Sequence, residues 1–241
     1  MDLNIKGKKA LVLGSSSGLG FAISKALSEE GVNVAVTSRE LKRAEDAAKQ
    51  LKNATSYACD LLAKDAGKKI LELVGPIDIL VTNAGGPPKG NFLDLTSEDW
   101  EKGYQGLWMS AIQAIQGALP YMKKQKWGRI ILCTSTSAKQ PISELTISNA
   151  YRPGLHGMMK SLAQEIAPYG ITVNAIMPGS TRTKRIEDLK VPIEKLIEEI
   201  PAKRLGEPEE FAALATFLAS EPAAYITGQS IACDGGLIRG I

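Results

Sequence analysis

The sequence predicts an α/β protein with a doubly wound parallel sheet in a three-layer α/β/α arrangement. Three observations predict it: short apolar runs recur along the chain, helical stretches fall between them, and no shift of composition divides the sequence. A chain of 241 residues buries one substantial core, so a single domain over 1–241 is expected.

Apolar runs suited to buried parallel strands stand at Ala10 to Leu13, Val32 to Val36, Ile77 to Val81, Ile130 to Cys133 and Ile171 to Ile176. Phe21 to Glu30, Glu40 to Leu51 and Ala63 to Val74 each fit one crossover helix, and strand-helix repetition implies parallel pairing. Thr96-Ser97-Glu98-Asp99 carries a capping-box signature, and Pro208 takes a first-turn position before Glu209, Glu210 and Phe211. Residues 178–203 break the alternation. There Arg182, Lys184 and Arg185 precede an amphipathic stretch with Ile193, Leu196, Ile197 and Ile200, which reads as a lid over the sheet.

A net charge of +3, with no basic run interleaved with aromatics, sets nucleic acid aside. Cys59, Cys133 and Cys233 form no C-x-x-C pair and each closes a short apolar run, so they read as reduced, buried, small hydrophobes, and no metal site is expected. The start lacks the apolar stretch of a secretory signal, and no run reaches the ~18 apolar residues of a membrane span. A cytoplasmic protein without membrane contact is the expectation.

After the first apolar run comes Gly14-Ser15-Ser16-Ser17-Gly18-Leu19-Gly20. A dinucleotide pyrophosphate needs backbone N–H groups at close approach, and glycines permit this between a strand and the positive N-terminal end of its helix. The spacing is G-x-x-x-G-x-G rather than G-x-G-x-x-G, and a glycine loop alone also serves plain packing, so its meaning depends on the motifs downstream.

Downstream stand Cys59-Asp60-Leu61, Asn83-Ala84-Gly85, Gly128-Arg129-Ile130, Pro178-Gly179 with Thr183, Gly206-Glu207-Pro208-Glu209-Glu210, Thr227-Gly228 and Asp234-Gly235-Gly236. In this order, over almost the whole length, the chain resembles the short-chain dehydrogenase/reductase family, especially its 3-oxoacyl-carrier-protein reductase-like members. The resemblance implies a Rossmann-type fold that binds NAD(H) or NADP(H). It further implies that Asp60, with Leu61, contacts the adenine and that Asn83-Ala84-Gly85 lines the adenosine side. Pro178 through Thr183, with Gly179 and Thr181, meets the nicotinamide amide. Taken singly, Asp60 reads equally as a helix N-cap and Asn83-Ala84-Gly85 as a strand-ending turn.

Cofactor choice has a physical argument. An acidic residue ending the second strand would hydrogen-bond a ribose 2'-hydroxyl and repel a 2'-phosphate. The region reads Thr37-Ser38-Arg39 with Lys42 and Arg43 close behind, and Ser38 and Arg39 suit a phosphate, so NADP(H) is favoured over NAD(H). The plainer alternative makes Arg39, Lys42 and Arg43 one solvated helix face.

In this family a Tyr-x-x-x-Lys pair on one helix transfers the proton, with a Ser and an Asn. Residues four apart share a helix face, so the ammonium can lower the phenol pKa from ~10 while holding the ribose. Alignment places the tyrosine at Ser148, the lysine at Arg152 and the asparagine at Leu107, and only the serine is kept, as Ser135. With Asn83-Ala84-Gly85-Gly86-Pro87, the stretch Ser148-Asn149-Ala150-Tyr151-Arg152 looks like a divergent, reductase-like subgroup that lacks the standard catalytic set. Ser148 is a poor acid; Arg152 stays charged and can hold ribose hydroxyls. Tyr151 is either a replacement acid turned into the site or an aromatic packed at a helix or subunit contact. His156 reads as a packed helix histidine. Pro153 removes a hydrogen bond to Asn149, so the helix either kinks near Asn149 or begins at Pro153.

The leading expectation is an NADP(H)-linked oxidoreductase acting on a small carbonyl, alcohol or acyl-thioester substrate, slowed by the missing groups. Ser135 orients the oxygen, and Ser148, Tyr151 or a water delivers the proton. The alternative is an NADP(H)-binding sensor or partner subunit without turnover. By the same resemblance, helices near Leu107 to Met122 and Leu155 to Pro168 make a homodimer or homotetramer.

Overall fold

A computed structural model of the chain describes residues 1–187 and 192–240. Among these residues the strands are β1 (Lys9–Val12), β2 (Asn33–Ser38), β3 (Ala54–Ala58), β4 (Ile79–Thr82), β5 (Gly128–Cys133), β6 (Ile171–Pro178) and β7 (Ser230–Cys233). All pair in parallel in one sheet of order β3-β2-β1-β4-β5-β6-β7. The order reverses between β1 and β4, and the crevice beyond the carboxyl ends of these two strands is where such sheets bind ligands.

The helices are α1 (Gly18–Glu29), α2 (Leu41–Ala48), α3 (Ala66–Val74), α4 (Ser97–Gly103), α5 (Ser110–Gln125), α6 (Thr146–Ile166), α7 (Lys184–Glu187), α8 (Ile193–Glu199) and α9 (Pro208–Leu218). Alternation along the strands separates the two faces of the sheet. Ala10 and Val12 of β1, Ile79 and Val81 of β4 and Ile131 of β5 join Ile23 and Leu27 of α1 and Phe211 and Leu218 of α9. Leu11, Leu80, Ile130 and Leu132 join Ile70 of α3, Ala114 and Met122 of α5 and Met159 and Ala163 of α6 on the other side. Each large apolar side chain so buried is worth about 1.5–3 kcal/mol, and the two clusters hold the three-layer arrangement that the sequence predicts.

The five apolar runs correspond to β1, β2, β4, β5 and β6. The edge strands β3 and β7 escape that reading because they are half exposed: Ala-Thr-Ser-Tyr-Ala and Ser-Ile-Ala-Cys offer no continuous apolar run. The capping box forms as read, with the Asp99 N–H donating to Thr96 Oγ1 at 3.2 Å and the Thr96 N–H donating to Asp99 Oδ2 at 3.0 Å. Pro208 opens α9.

The structure bears on three further sequence readings. The helix carrying Ser148 does not begin at Pro153: α6 starts at Thr146 and continues through the proline. The bond that residue 153 would donate to the Asn149 carbonyl is forfeited, Pro153 being the eighth residue of the helix. Of the cysteines, Cys133 alone is fully buried, because Cys59 and Cys233 stand at the ends of the two edge strands. The lid expected over 178–203 holds α7 and α8, with Ile193, Leu196 and Ile197 half-buried and Ile200 buried; its part at 188–191 lies outside the described residues.

Candidate cofactor and active site

The glycine loop is set from below by hydroxyls. The Ser15 side chain is fully buried; its hydroxyl donates to the Val12 carbonyl at 2.6 Å and accepts the Thr37 N–H at 2.9 Å. The Thr37 hydroxyl accepts the Gly14 N–H at 2.9 Å. These bonds latch the loop to β2 and turn Ser15 into the fold, while Ser16 and Gly18 remain half-buried and Ser17 exposed. No side chain caps α1 at Ser17, so its first N–H groups have no capping acceptor there.

The glycines are required by close approach as well as by conformation. A Cβ on Gly20 would lie 2.4 Å from the Gly14 carbonyl oxygen and 2.7 Å from Asn83 Nδ2, and one on Gly14 2.6 Å from the Asn83 carbonyl oxygen. Into this space the Asn83 carboxamide donates to the Gly14 carbonyl at 2.9 Å and the Leu13 carbonyl at 3.2 Å. Asn83 thus braces the loop across the switch point, with half-buried Ala84 and exposed Gly85 beyond it. Gly18 has φ +58°, the left-handed region that favours glycine, and its missing side chain faces Thr183. The loop and the segment after β6 therefore confront each other. That segment is folded on itself: Gly179 packs on Asp234, the Thr181 hydroxyl donates to the Gly179 carbonyl at 3.3 Å, and the Thr183 hydroxyl donates to the Thr181 carbonyl at 3.3 Å. Arg182 donates through Nε to Glu207 Oε1 at 3.0 Å, an exposed ion pair.

At the far end of the crevice β2 terminates at buried Ser38, followed by exposed Arg39. Lys42 is held by Asp46 at 2.6 Å within α2, and Arg39 is the cation next to Ser38 in the chain. The Cys59 N–H donates to the Ser38 carbonyl at 2.7 Å, bringing the end of β3 alongside; there exposed Asp60 accepts the Leu62 N–H at 3.1 Å and half-buried Leu61 comes next.

On the catalytic side, half-buried Ser135 follows β5 and its hydroxyl oxygen accepts the Ser137 N–H at 3.1 Å. Ser148 is buried, its Oγ 2.9 Å from Ser137 Oγ and accepting Arg152 Nε–H at 2.9 Å. Arg152 also donates to the Cys133 carbonyl at 3.2 Å. Ser148 is thus enclosed between a guanidinium and a second hydroxyl. Leu107 lies in a π-helical segment, Tyr104–Met109, and lines with Asn83, Ala84, Ser110, Cys133 and Arg152 a cavity of about 10 Å³, the room of one water.

Tyr151, the proposed replacement acid, packs elsewhere. Its ring lies 5.9 Å from Trp100, 6.3 Å from Tyr104 and 6.5 Å from Trp108, and its hydroxyl donates to the Trp100 carbonyl at 3.4 Å. Burial, with Glu101 nearby, raises its pKa further. The aromatic-packing alternative therefore describes Tyr151 here. His156 is a packed histidine: Nε2 lies 2.9 Å from Thr134 Oγ1 and Nδ1 3.0 Å from Ser230 Oγ, and burial lowers its pKa to about 4. Sequence reading passed over two residues of this region, Thr37 and Ser137. Thr37 carried a signal, a hydroxyl one residue before the end of β2; Ser137 carried none.

A family profile described as enoyl-(acyl carrier protein) reductase matches residues 14–238. The chain is 36% identical to the 3-oxoacyl-[acyl-carrier-protein] reductase FabG of Aquifex aeolicus, over 98% of this chain and 100% of that protein. It is 34% identical to the human dehydrogenase/reductase SDR family member 4, over 96% and 88% of the two chains. Among solved structures it is similar to L-sorbose reductase of Gluconobacter frateurii complexed with NADPH and L-sorbose, with TM-score 0.93, 31% identity and full coverage of both chains. It is also similar to YwfH, an NADPH dependent reductase involved in bacilysin biosynthesis, with TM-score 0.91, 30% identity and 98% and 100% coverage. With the glycine loop, the Asn83 brace and the matched length together, the chain belongs to the short-chain dehydrogenase/reductase family of oxidoreductases.

Proposed function

We propose that the protein is an NADP(H)-dependent oxidoreductase acting on a small carbonyl, alcohol or acyl-thioester substrate. The observation that carries the proposal is the braced loop at the switch point: Gly14 and Gly20 lack the Cβ atoms that would drive the loop off Asn83, no side chain caps α1 at Ser17, and Arg39 stands exposed beside Ser38. These residues fit a dinucleotide. Ser16, Ser17, Gly18 and the first N–H groups of α1 would hold the pyrophosphate, Asp60 and Leu61 the adenine, and Ala84 and Gly85 the adenosine side. Ser15 and Asn83 would hold the loop rather than the ligand. Arg39 and Ser38 would hold a 2'-phosphate, Arg152 the nicotinamide ribose, and Pro178, Gly179, Thr181 and Thr183 the carboxamide.

When bound, the nicotinamide supplies or accepts hydride. The chain's own part is to place the substrate oxygen at Ser135. Neither buried Ser148 nor Tyr151 in its aromatic cluster is set to deliver a proton, so water is the donor this reading requires. Slow carbonyl turnover is the consequence, and the same observation favours the second reading, an NADP(H)-binding sensor or partner subunit. Among the described residues no helix is long and apolar enough to cross a membrane. Family resemblance extends the proposal to a homodimer or homotetramer built on α5 and α6.

Fluorescence titration with NADPH and NADH tests the cofactor assignment, with tighter NADPH binding expected. Equal affinities would remove the 2'-phosphate argument, and no binding of either would remove the function. NADPH consumption with a 3-oxoacyl thioester then separates a slow enzyme from a protein without turnover.

A further inference from the structure

We infer that Ser137, in the turn Thr136–Ala138 after β5, is a positioning residue that sets Arg152 for the cofactor. The inference rests on the cofactor reading above, in which Arg152 holds the nicotinamide ribose. Ser137 reaches both sides of the site: its N–H donates to Ser135 Oγ at 3.1 Å, and its own Oγ lies 2.9 Å from Ser148 Oγ. Ser148 in turn accepts Arg152 Nε–H at 2.9 Å, and Arg152 Nη1 donates back to the Cys133 carbonyl at 3.2 Å. Cys133, Ser135 and Ser137 come in succession off β5, whereas Ser148 and Arg152 share a face of α6 four residues apart. The contacts therefore close a ring from the strand end through the first turns of the helix and back.

Ser137, Ser148 and Arg152 are 2%, 3% and 6% exposed, so bulk water does not readily replace a missing member. A serine hydroxyl has one proton and two acceptor sites. On Ser148 one acceptor site is taken by the Arg152 guanidinium, and Ser137 is the hydroxyl that fixes the direction of what remains. Without Ser137 Oγ the Ser148 hydroxyl is no longer oriented, and Arg152 Nε–H loses a fixed acceptor while Nη1 keeps the Cys133 carbonyl. Alanine at 137 keeps the N–H that holds Ser135, so the substitution isolates the Arg152 side of the ring.

The effect has a signature that separates it from general destabilisation. Arg152 leaves from the β5 side of the sheet and Arg39 from β2, three strand spacings or about 14 Å away. Loosening Arg152 should therefore weaken NADPH and NADH alike, whereas the 2'-phosphate site distinguishes them.

The test is fluorescence titration of both dinucleotides, with thermal unfolding alongside, for Ser137→Ala, Ser148→Ala, the double variant and Ser137→Thr. Ser137→Ala and Ser148→Ala should each weaken both dinucleotides about ten-fold. The double variant should fall within about two-fold of either single one, because both remove the same seat. Ser137→Thr, which keeps a hydroxyl, should restore binding to within about two-fold of the parent. A lowered midpoint with unchanged affinity in Ser137→Ala, or effects that multiply in the double variant, overturns the inference and leaves the cofactor reading standing. A parent protein that binds neither dinucleotide overturns both.

Discussion

Gly20→Ala tests the physical basis of the cofactor crevice. The added methyl would lie 2.4 Å from the Gly14 carbonyl oxygen, 2.7 Å from Asn83 Nδ2 and 2.9 Å from Ser15 Cα. Two of these three atoms are backbone, so no flexible side-chain end can swing aside. The loop must open, which strains the packing by about 1–3 kcal/mol and weakens the two Asn83 bonds, each worth about 0.5–1.5 kcal/mol. The resulting loss of roughly 2–6 kcal/mol is smaller than most of the 5–15 kcal/mol range of ordinary domains, so a folded but weakened protein is expected. Urea unfolding gives the loss and NADPH titration of the folded variant gives the second consequence, dinucleotide binding reduced by at least about ten-fold. For the unfolding measurement alone, Gly85→Ala is the internal control, since a Cβ there meets nothing within 4 Å and its backbone is not left-handed. Gly18→Ala should cost about 1–2 kcal/mol, by its φ of +58° and not by crowding. Parent-like stability and NADPH affinity in Gly20→Ala would refute the close-approach argument.

Three further outcomes are expected. Arg39→Ala should weaken NADPH by about ten- to a hundred-fold and leave NADH within about two-fold, measured by parallel titrations; equal losses would make Arg39 a solvated surface residue. His156, held neutral by burial with a pKa of about 4, is protonated near pH 6.5 once unfolded, so its stability contribution is complete above pH 6.5 and is lost as pH falls toward 4. The full depression would be worth about 3 kcal/mol, which partial exposure of the ring reduces to roughly 1–2 kcal/mol; His156→Gln should flatten the pH 4–6.5 slope of the urea midpoint, and an unchanged slope would contradict the assignment. Combining Leu107→Asn, Ser148→Tyr and Arg152→Lys should raise 3-oxoacyl thioester reduction at saturating NADPH by about 10²- to 10⁴-fold, singly by less, and a parent enzyme already running at ordinary rates would remove the premise.

The sequence made the buried half of the sheet legible because strands covered on both faces leave continuous apolar runs, as in Ile79 to Val81 and Ile130 to Cys133. It left β3 and β7 invisible to the same test, since an edge strand is covered on too little of its surface to demand such a run. The glycine spacing was legible as a cradle, but its cause was not: Gly14 and Gly20 answer to Asn83, more than sixty residues away, and only the fold brings them together. Ser15 shows the converse, a loop position whose side chain turns inward to β2. Arg129 read as one more family mark. It is 1% exposed and donates to the Ser220, Gly128 and Gly170 carbonyls at the amino-terminal end of β5, holding the fold rather than the site.

The catalytic side was legible only as a set of departures, and the structure gives them a common logic. A phenol at 148 would need room toward the cleft and an ammonium beneath it; a serine there is short enough to be buried, and an arginine at 152 long enough to reach the β5 carbonyl. The exchange therefore concerns the pair rather than either residue, because a lysine offers no fork to span Ser148 and Cys133 together. Tyr151 lies beyond this ring on the α4 side of α6, where Gly103 and Gly154 let the helices approach closely enough to surround it with Trp100, Tyr104 and Trp108. The tyrosine three places from the family position is packed as an aromatic against its neighbours. What stands at the family's tyrosine and lysine positions is a buried serine and a guanidinium bonded to Ser148 and to the Cys133 carbonyl.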